Sequence, residues 1–272
     1  MLQLQTPVVI TRSEFLIEPQ HRLLFVGSCF ADNIGRIFCD NMFRATVNPY
    51  GVMYNPASIL HTVQRALEDG TIRDGVDWAI FTLGTNRVYV LNETGEIVDN
   101  CQKRPQRLFT ERQLAVEECA GYLNCAIALL RHHSPSAKVV ITVSPIRYAK
   151  YGYHGSQLSK ATLLLAADCV VTAQTGTAYF PAYEIMNDEL RDYRFYQPDM
   201  LHPSAQAVEY IFSRFRDMFF SEDSMRFMEE WQPIRRALSH RPFNADSPEY
   251  QAFLADARER EKQFIQKWQC RQ

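Results

Sequence analysis

Ser28, Asp199 and His202 are the residues of this chain best suited to carry covalent chemistry. A serine hydroxyl attacks an acyl carbon only if a base takes its proton, and the base needs a partner to fix its tautomer. Ser28 stands in Gly27-Ser28-Cys29, where the apolar run of "RLLFVGSCFADNIG" gives way to a helical pattern. Asp199 and His202 stand three apart in "QPDMLHPS", so one loop can present the imidazole and the carboxylate behind it. A tetrahedral oxyanion would also need donors. Candidates are the Ser28 backbone N–H, a backbone N–H at Gly51 and the side-chain amide of Asn86 in "LGTN". Cys29 is the alternative nucleophile, since a thiol is intrinsically more reactive. Neighbours on such a turn point in different directions, and Ser28 is expected to face the mouth while Cys29 faces the core.

These residues need a frame. Leu23–Val26, Trp78–Leu83, Val139–Val143 and roughly Ala178–Tyr183 read as strands. Their runs are continuously apolar, as expected for strands covered on both faces in a parallel sheet. Helical patterns lie between them. Asn55-Pro56 reads as a cap and first turn ahead of a stripe from Ile59 to Leu67. Thr110-x-x-Gln113 has the form of a capping box opening a helix toward Arg131, and Ser159 opens another. Val208, Ile211, Phe212 and Phe215 mark a last core helix. "RVYVLNETGEIVDN" (Arg87–Asn100) reads as a hairpin inserted into the rhythm. The alternation predicts an α/β fold with the candidate residues at the carboxyl ends of its strands, where such sheets bind ligands. Residues 1–221 form the expected main domain and 222–272 a helical C-terminal extension.

Bulk properties narrow the function. With 272 residues, 46% of them apolar, the chain can bury one large core. Its formal charge of -2 and lack of a basic run argue against nucleic acid as a partner. No apolar run approaches the ~20 residues of a membrane span. The N-terminal "MLQLQTPVVITRSEF" lacks the features of a secretory signal. Seven scattered cysteines without C-x-x-C suit a reducing compartment, so a cytoplasmic protein is expected. No metal-ligand spacing, P-loop or G-x-G-x-x-G occurs, and no metal or cofactor is expected. The oligomeric state is left open.

"GSCFA" (Gly27–Ala31), "NPYGVMYNP" (Asn48–Pro56), "TLGT" (Thr82–Thr85), "TVSPIR" (Thr142–Arg147), "SKATL" (Ser159–Leu163) and the long block Tyr179–Ser204 together resemble the GSCFA family, a branch of the SGNH (GDSL-like) hydrolases. The resemblance implies a three-layer α/β/α flavodoxin-like sandwich with a central parallel sheet. It maps Ser28 onto the nucleophile, Asp199 and His202 onto the D-x-x-H block, and Gly51 onto an oxyanion glycine. The wider group has G-x-N-D where this chain has Gly84-Thr85-Asn86-Arg87, so Asn55 competes with Asn86 as the amide donor. Arg147, after the third strand, could bind a substrate carboxylate or phosphate, or pair with Glu184 or Asp188. His154, in "KYGYHGSQ", could sit on a lid. The expected activity is hydrolysis of an acyl ester, such as an O-acetyl group on a carbohydrate or other small acceptor. Acyl transfer from the same site and ligand binding without catalysis are the alternatives.

Overall fold

The computed structural model describes residues 6–244 and 246–269. Beginning at β1 (Arg22–Gly27), the chain alternates strand and helix: α1 (Cys29–Asp40), β2 (Arg44–Val47), α2 (Pro56–Glu68) and β3 (Trp78–Leu83) follow. A small antiparallel sheet is then inserted, made of β4 (Arg87–Leu91), β5 (Ile97–Val98) and β6 (Phe109–Gln113). The alternation resumes with α3 (Val116–His133), β7 (Lys138–Val143), α4 (Gly152–Ala173) and β8 (Thr177–Tyr179). The chain ends with α5 (Ala182–Glu184), a π-wound segment Ile185–Leu190, α6 (Ala205–Phe219), α7 (Glu222–Leu238) and α8 (Pro248–Trp268).

The main sheet runs β2-β1-β3-β7-β8 with every pairing parallel. Counted within that sheet the order is 2-1-3-4-5, the flavodoxin-like winding, whose direction reverses between β1 and β3. Both faces are covered, which explains the unbroken apolar runs. Phe25, Phe38, Phe180, Phe215 and Phe219 pack on the face covered by α1 and α6. Val26, Val63, Leu123, Ile141 and Leu163 pack on the face covered by α2, α3 and α4. The fold is therefore a three-layer α/β/α sandwich. Helices α7 and α8 add to the first face. Phe227 meets Phe43 with ring centroids 5.0 Å apart and Phe264 at 4.8 Å, and Trp231 Nε1 donates to the Asp40 carbonyl at 2.9 Å. Among the described residues no helix is long and apolar enough to cross a membrane.

The hairpin at Arg87–Asn100 forms as the sequence predicts, around β4 and β5. Two helix starts differ. Thr110 and Gln113 lie in β6, because Phe109–Gln113 pairs antiparallel with β4, and helix α3 opens only after Ala115. There Glu118 reaches back to accept from the Ala115 N–H at 2.9 Å, the reciprocal half of a capping box displaced five residues downstream. Helix α4 begins at Gly152, so Ser159 lies inside it. His154 is exposed in the first turn of α4 rather than on an irregular lid.

Candidate functional site

The turn after β1 is built by close approach of two strands. Gly27 has φ +152°, and a Cβ there would lie 2.2 Å from the Thr82 carbonyl oxygen of β3. Only glycine fits. The turn is pinned by main-chain bonds from Ser28 N to the Thr82 carbonyl (3.1 Å) and from Met53 N to the Gly27 carbonyl (2.9 Å). Asn48 completes it, accepting from Gly27 N at 2.8 Å through Oδ1 and donating to Asp32 through Nδ2 at 2.6 Å.

Ser28 faces inward, opposite to the sequence expectation. It is 1% exposed, its Oγ donates to Ser144 Oγ at 2.9 Å, and that same oxygen caps α1 by accepting from Phe30 N at 3.3 Å. The physical reason is the cap: a serine at the N-cap must turn its hydroxyl back over the first helical turn. Cys29, the first residue of α1, is the neighbour left half-buried rather than fully enclosed. Burial pushes its thiol pKa up, with Asp32 adding to the rise. Backbone N–H groups at the helix start and Lys160 pull the other way.

Lys160 is a residue the sequence reading passed over. It lies inside α4 at 3% exposure, and its Nζ donates to the carbonyls of Gly84 and Ser144, both at 2.8 Å. One side chain thus ties the segment after β3 to the segment after β7. Burial pulls its pKa down to about 7, against which the Cys29 charge acts. The folded protein therefore releases this proton near pH 7 and the unfolded chain near the ordinary 10.5. Between those values the unfolded state holds more protons, so this lysine makes stability climb as pH rises. Lys160→Met should flatten the climb, measured as the urea midpoint against pH for the two proteins. Parallel curves would show that the ammonium is tolerated in place.

Asp199 and His202 form the expected pair. Their Oδ2 and Nδ1 atoms are 2.6 Å apart, and Asp199 Oδ1 accepts from the N–H groups of His202 (3.0 Å) and Leu201 (2.8 Å). These two backbone donors, followed by the imidazole, hold the Asp199 pKa down to about 2. The carboxylate is therefore ionised at any working pH, as the orienting partner of an imidazole base must be. The loop is fastened by Gln197 N to the His202 carbonyl (2.7 Å) and by Arg147 N to the Leu201 carbonyl (3.0 Å). The segment Ser144–Arg147 thus touches the turn after β1 at one end and the Asp-x-x-His loop at the other. Among the described residues no hydrogen bond joins Ser28 to His202.

The oxyanion candidates separate clearly. The Gly51 N–H donates to the Asn48 carbonyl at 2.8 Å, closing a turn, so it is already taken. The Asn86 amide points away, donating Nδ2 to the Leu114 carbonyl at 2.8 Å, because Asn86 anchors the inserted sheet to the start of α3. Asn55 caps α2 through Oδ1, accepting from Ser58 N at 3.0 Å, and its Nδ2 has no protein partner among the described residues. The Cys29 N–H, at the first position of α1, has no main-chain acceptor among the described residues, as helix starts leave it, and faces its own thiol. Arg147 pairs with neither Glu184 nor Asp188. Glu184 is held instead by Tyr179 Oη, 2.9 Å from both carboxylate oxygens.

Solved structures of similar architecture include a family 3 carbohydrate esterase from Talaromyces cellulolyticus, at 10% identity over 78% of this chain and 99% of that one, with a TM-score of 0.46. A family 3 carbohydrate esterase from Clostridium thermocellum matches at 12% identity over 81% and 100%, with a TM-score of 0.43. Axe2, an acetylxylan esterase from Geobacillus stearothermophilus, matches at 12% identity over 76% and 98%, with a TM-score of 0.44. No curated protein matches the sequence. The profile described as "GSCFA domain protein, C-terminal domain" matches residues 231–269. The profile described as "GSCFA family" matches residues 22–75 and 71–215, the span that carries the whole parallel sheet, the turn after β1 and the Asp199–His202 loop, and the chain belongs to the GSCFA family.

Proposed function

We propose that this protein is a hydrolase that cleaves an acyl ester through a covalent acyl-enzyme, with Cys29 rather than Ser28 as the attacking group. The observation that carries the reading is the Asp199–His202 pair, 2.6 Å apart, on a loop tied through Arg147 to the strand-end segment that also contacts the turn after β1. A carboxylate-oriented imidazole is the general base that a protonated thiol needs. Cys29 needs one, because burial favours its neutral form. His202 Nε2 takes the Sγ proton and the sulfur bonds to the acyl carbon. The tetrahedral oxyanion faces the Cys29 N–H and Asn55 Nδ2. As the intermediate collapses, the C–O bond breaks and the alcohol leaves with the proton from His202. Water, deprotonated by the same imidazole, then attacks the thioester and restores the thiol, releasing the carboxylic acid. A small acyl group such as acetyl is the expected substrate portion, and a sugar or similar small alcohol the leaving group.

The test is to trap the intermediate. Protein mixed with p-nitrophenyl acetate and quenched in acid should carry one acetyl group on the peptide containing Cys29, removable by neutral hydroxylamine as thioesters are. An acetyl group found on the Ser28 oxygen would move the chemistry to the hydroxyl. Absence of any acylation would remove the hydrolase reading.

A further inference from the structure

Beside the Asp199–His202 loop lies a cavity of about 250 Å³, lined by Arg147, Gln157, Arg191, Asp192, Tyr193 and Tyr196 among others. Its most unusual member is Arg147. The guanidinium carbon sits 4.3 Å from the ring centre of Tyr153, 5.4 Å from that of Tyr196 and 5.9 Å from that of Tyr193. Among the described residues no carboxylate lies within ion-pair distance of it. The acids nearby have other partners: Asp188 lies 3.8 Å from Arg191, Asp192 lies 3.1 Å from Arg194, and Asp199 holds His202. Among the described residues the side chain makes one hydrogen bond, from Nη1 to the Met200 carbonyl at 3.3 Å. A guanidinium has five N–H donors in a flat fork, so most of this fork is unspent.

The rings around it do two things. They hold the cation in one orientation, which lowers the entropic cost of using it. They also offer flat apolar faces: Tyr153 is 53% exposed and Tyr193 68% exposed. The cavity is smaller than the ~300–1,000 Å³ typical of drug-sized ligands, which suits a single ring. Its position is fixed relative to the candidate base, because the Arg147 backbone bonds to Leu201, the residue before His202.

We propose that this cluster is the subsite for the alcohol portion of the substrate, and that it takes a sugar ring bearing an anion, with the carboxylate or phosphate on the Arg147 fork and the ring against the exposed tyrosine faces. That this is the leaving-group side rests on the hydrolase reading above; that it binds such a ring does not. The binding is testable by itself. Methyl β-D-glucuronide, methyl β-D-glucoside and glucose 6-phosphate, none of which carries an acyl ester to cleave, would be titrated into the Cys29→Ala protein and followed by ligand-observed NMR. At least one of the two anionic sugars is expected to bind tenfold or more tighter than the neutral glucoside, and which one does so separates carboxylate from phosphate. Arg147→Gln should erase that preference, and Tyr193→Ala should weaken all three. Equal affinity for neutral and anionic sugars, or a preference that survives Arg147→Gln, would overturn the subsite. A protein that shows the preference but is never acylated keeps the subsite and loses the hydrolase reading. One that is acylated on Cys29 without any preference does the reverse.

Discussion

Cys29→Ala is expected to lower the hydrolysis of p-nitrophenyl acetate by ~10³-fold or more, the scale on which removal of an attacking group acts when the rest of the site survives. Ser28→Ala is expected to act on stability instead. It removes the α1 cap, worth about 1 kcal/mol, and takes the hydrogen-bond donor from a fully buried Ser144 Oγ, at a cost of about 1–3 kcal/mol. The fold should tolerate that loss, and turnover per folded molecule should persist. The two variants therefore separate a mechanism from a scaffold role, with urea unfolding and initial rates measured on the same preparations. If Ser28→Ala folds but is dead while Cys29→Ala still turns over, the serine is the nucleophile, and its cap geometry must open during catalysis. Cys29→Ser is a useful third member. A hydroxyl at the first helical position keeps the shape but lacks the nucleophilicity of sulfur, so a small residual rate there, with none in Cys29→Ala, would fix the attacking position.

The contrast between residues 28 and 29 also marks where the sequence could be read and where it could not. That a tight turn into a helix follows the first strand was legible, because Gly27 ends a continuous apolar run and a helical pattern starts immediately. Which neighbour is enclosed was not, because the answer is set by the α1 cap together with a hydrogen bond from Ser28 to Ser144, 116 positions downstream. Strands β1, β3 and β7 were legible for a related reason: both of their faces are covered, so their central residues are nearly all apolar. Strand β2 was missed. Its "RATV" is only half-buried along its length, and a four-residue sheet-edge segment with an arginine and a threonine has no periodic signature. Thr110 and Gln113 carry the local form of a cap, but pairing with Arg87–Leu91 takes precedence, an example of tertiary contacts overriding a local preference.

Lys160 and Asn86 fail for the same reason from opposite directions. A lysine in the middle of a helical pattern reads as a solvated face, yet this one is buried against two carbonyls that belong to segments 76 and 16 residues away. Asn86 sits where an oxyanion amide would be sought, yet its amide is spent on Leu114, because the inserted sheet must be anchored as the chain leaves β3. In both cases residue type and spacing are informative about position along the fold. They are silent about which long-range acceptor claims the side chain. The Asp199–His202 pair is the opposite case: both partners lie within four consecutive residues, so the spacing alone defines the contact.

That local pairing makes Asp199→Asn the sharpest test of the base. An asparagine can keep its Oδ1 on the backbone N–H groups of Leu201 and His202, so the loop should retain its shape. What changes is the atom facing Nδ1. A carboxylate oxygen accepts from Nδ1–H and leaves Nε2 as the free base. An amide nitrogen donates to Nδ1, which puts the ring proton on Nε2 and removes the base. The expected loss in kcat is ~10²–10⁴-fold at neutral pH, with KM little changed, as in triads where the same exchange imposes the wrong tautomer. Because the Asp199 pKa is held at about 2, the wild-type rate should show no acid limb from this carboxylate above pH 4. In Asp199→Asn the residual rate should instead rise with pH, as hydroxide supplies the missing deprotonation of Cys29. A rate that falls less than tenfold, or a pH profile that keeps the wild-type shape, would show that the imidazole at position 202 does not activate the nucleophile. Lys160, whose pKa burial pulls down to about 7 and whose charge acts on Cys29, would then be the remaining base to test.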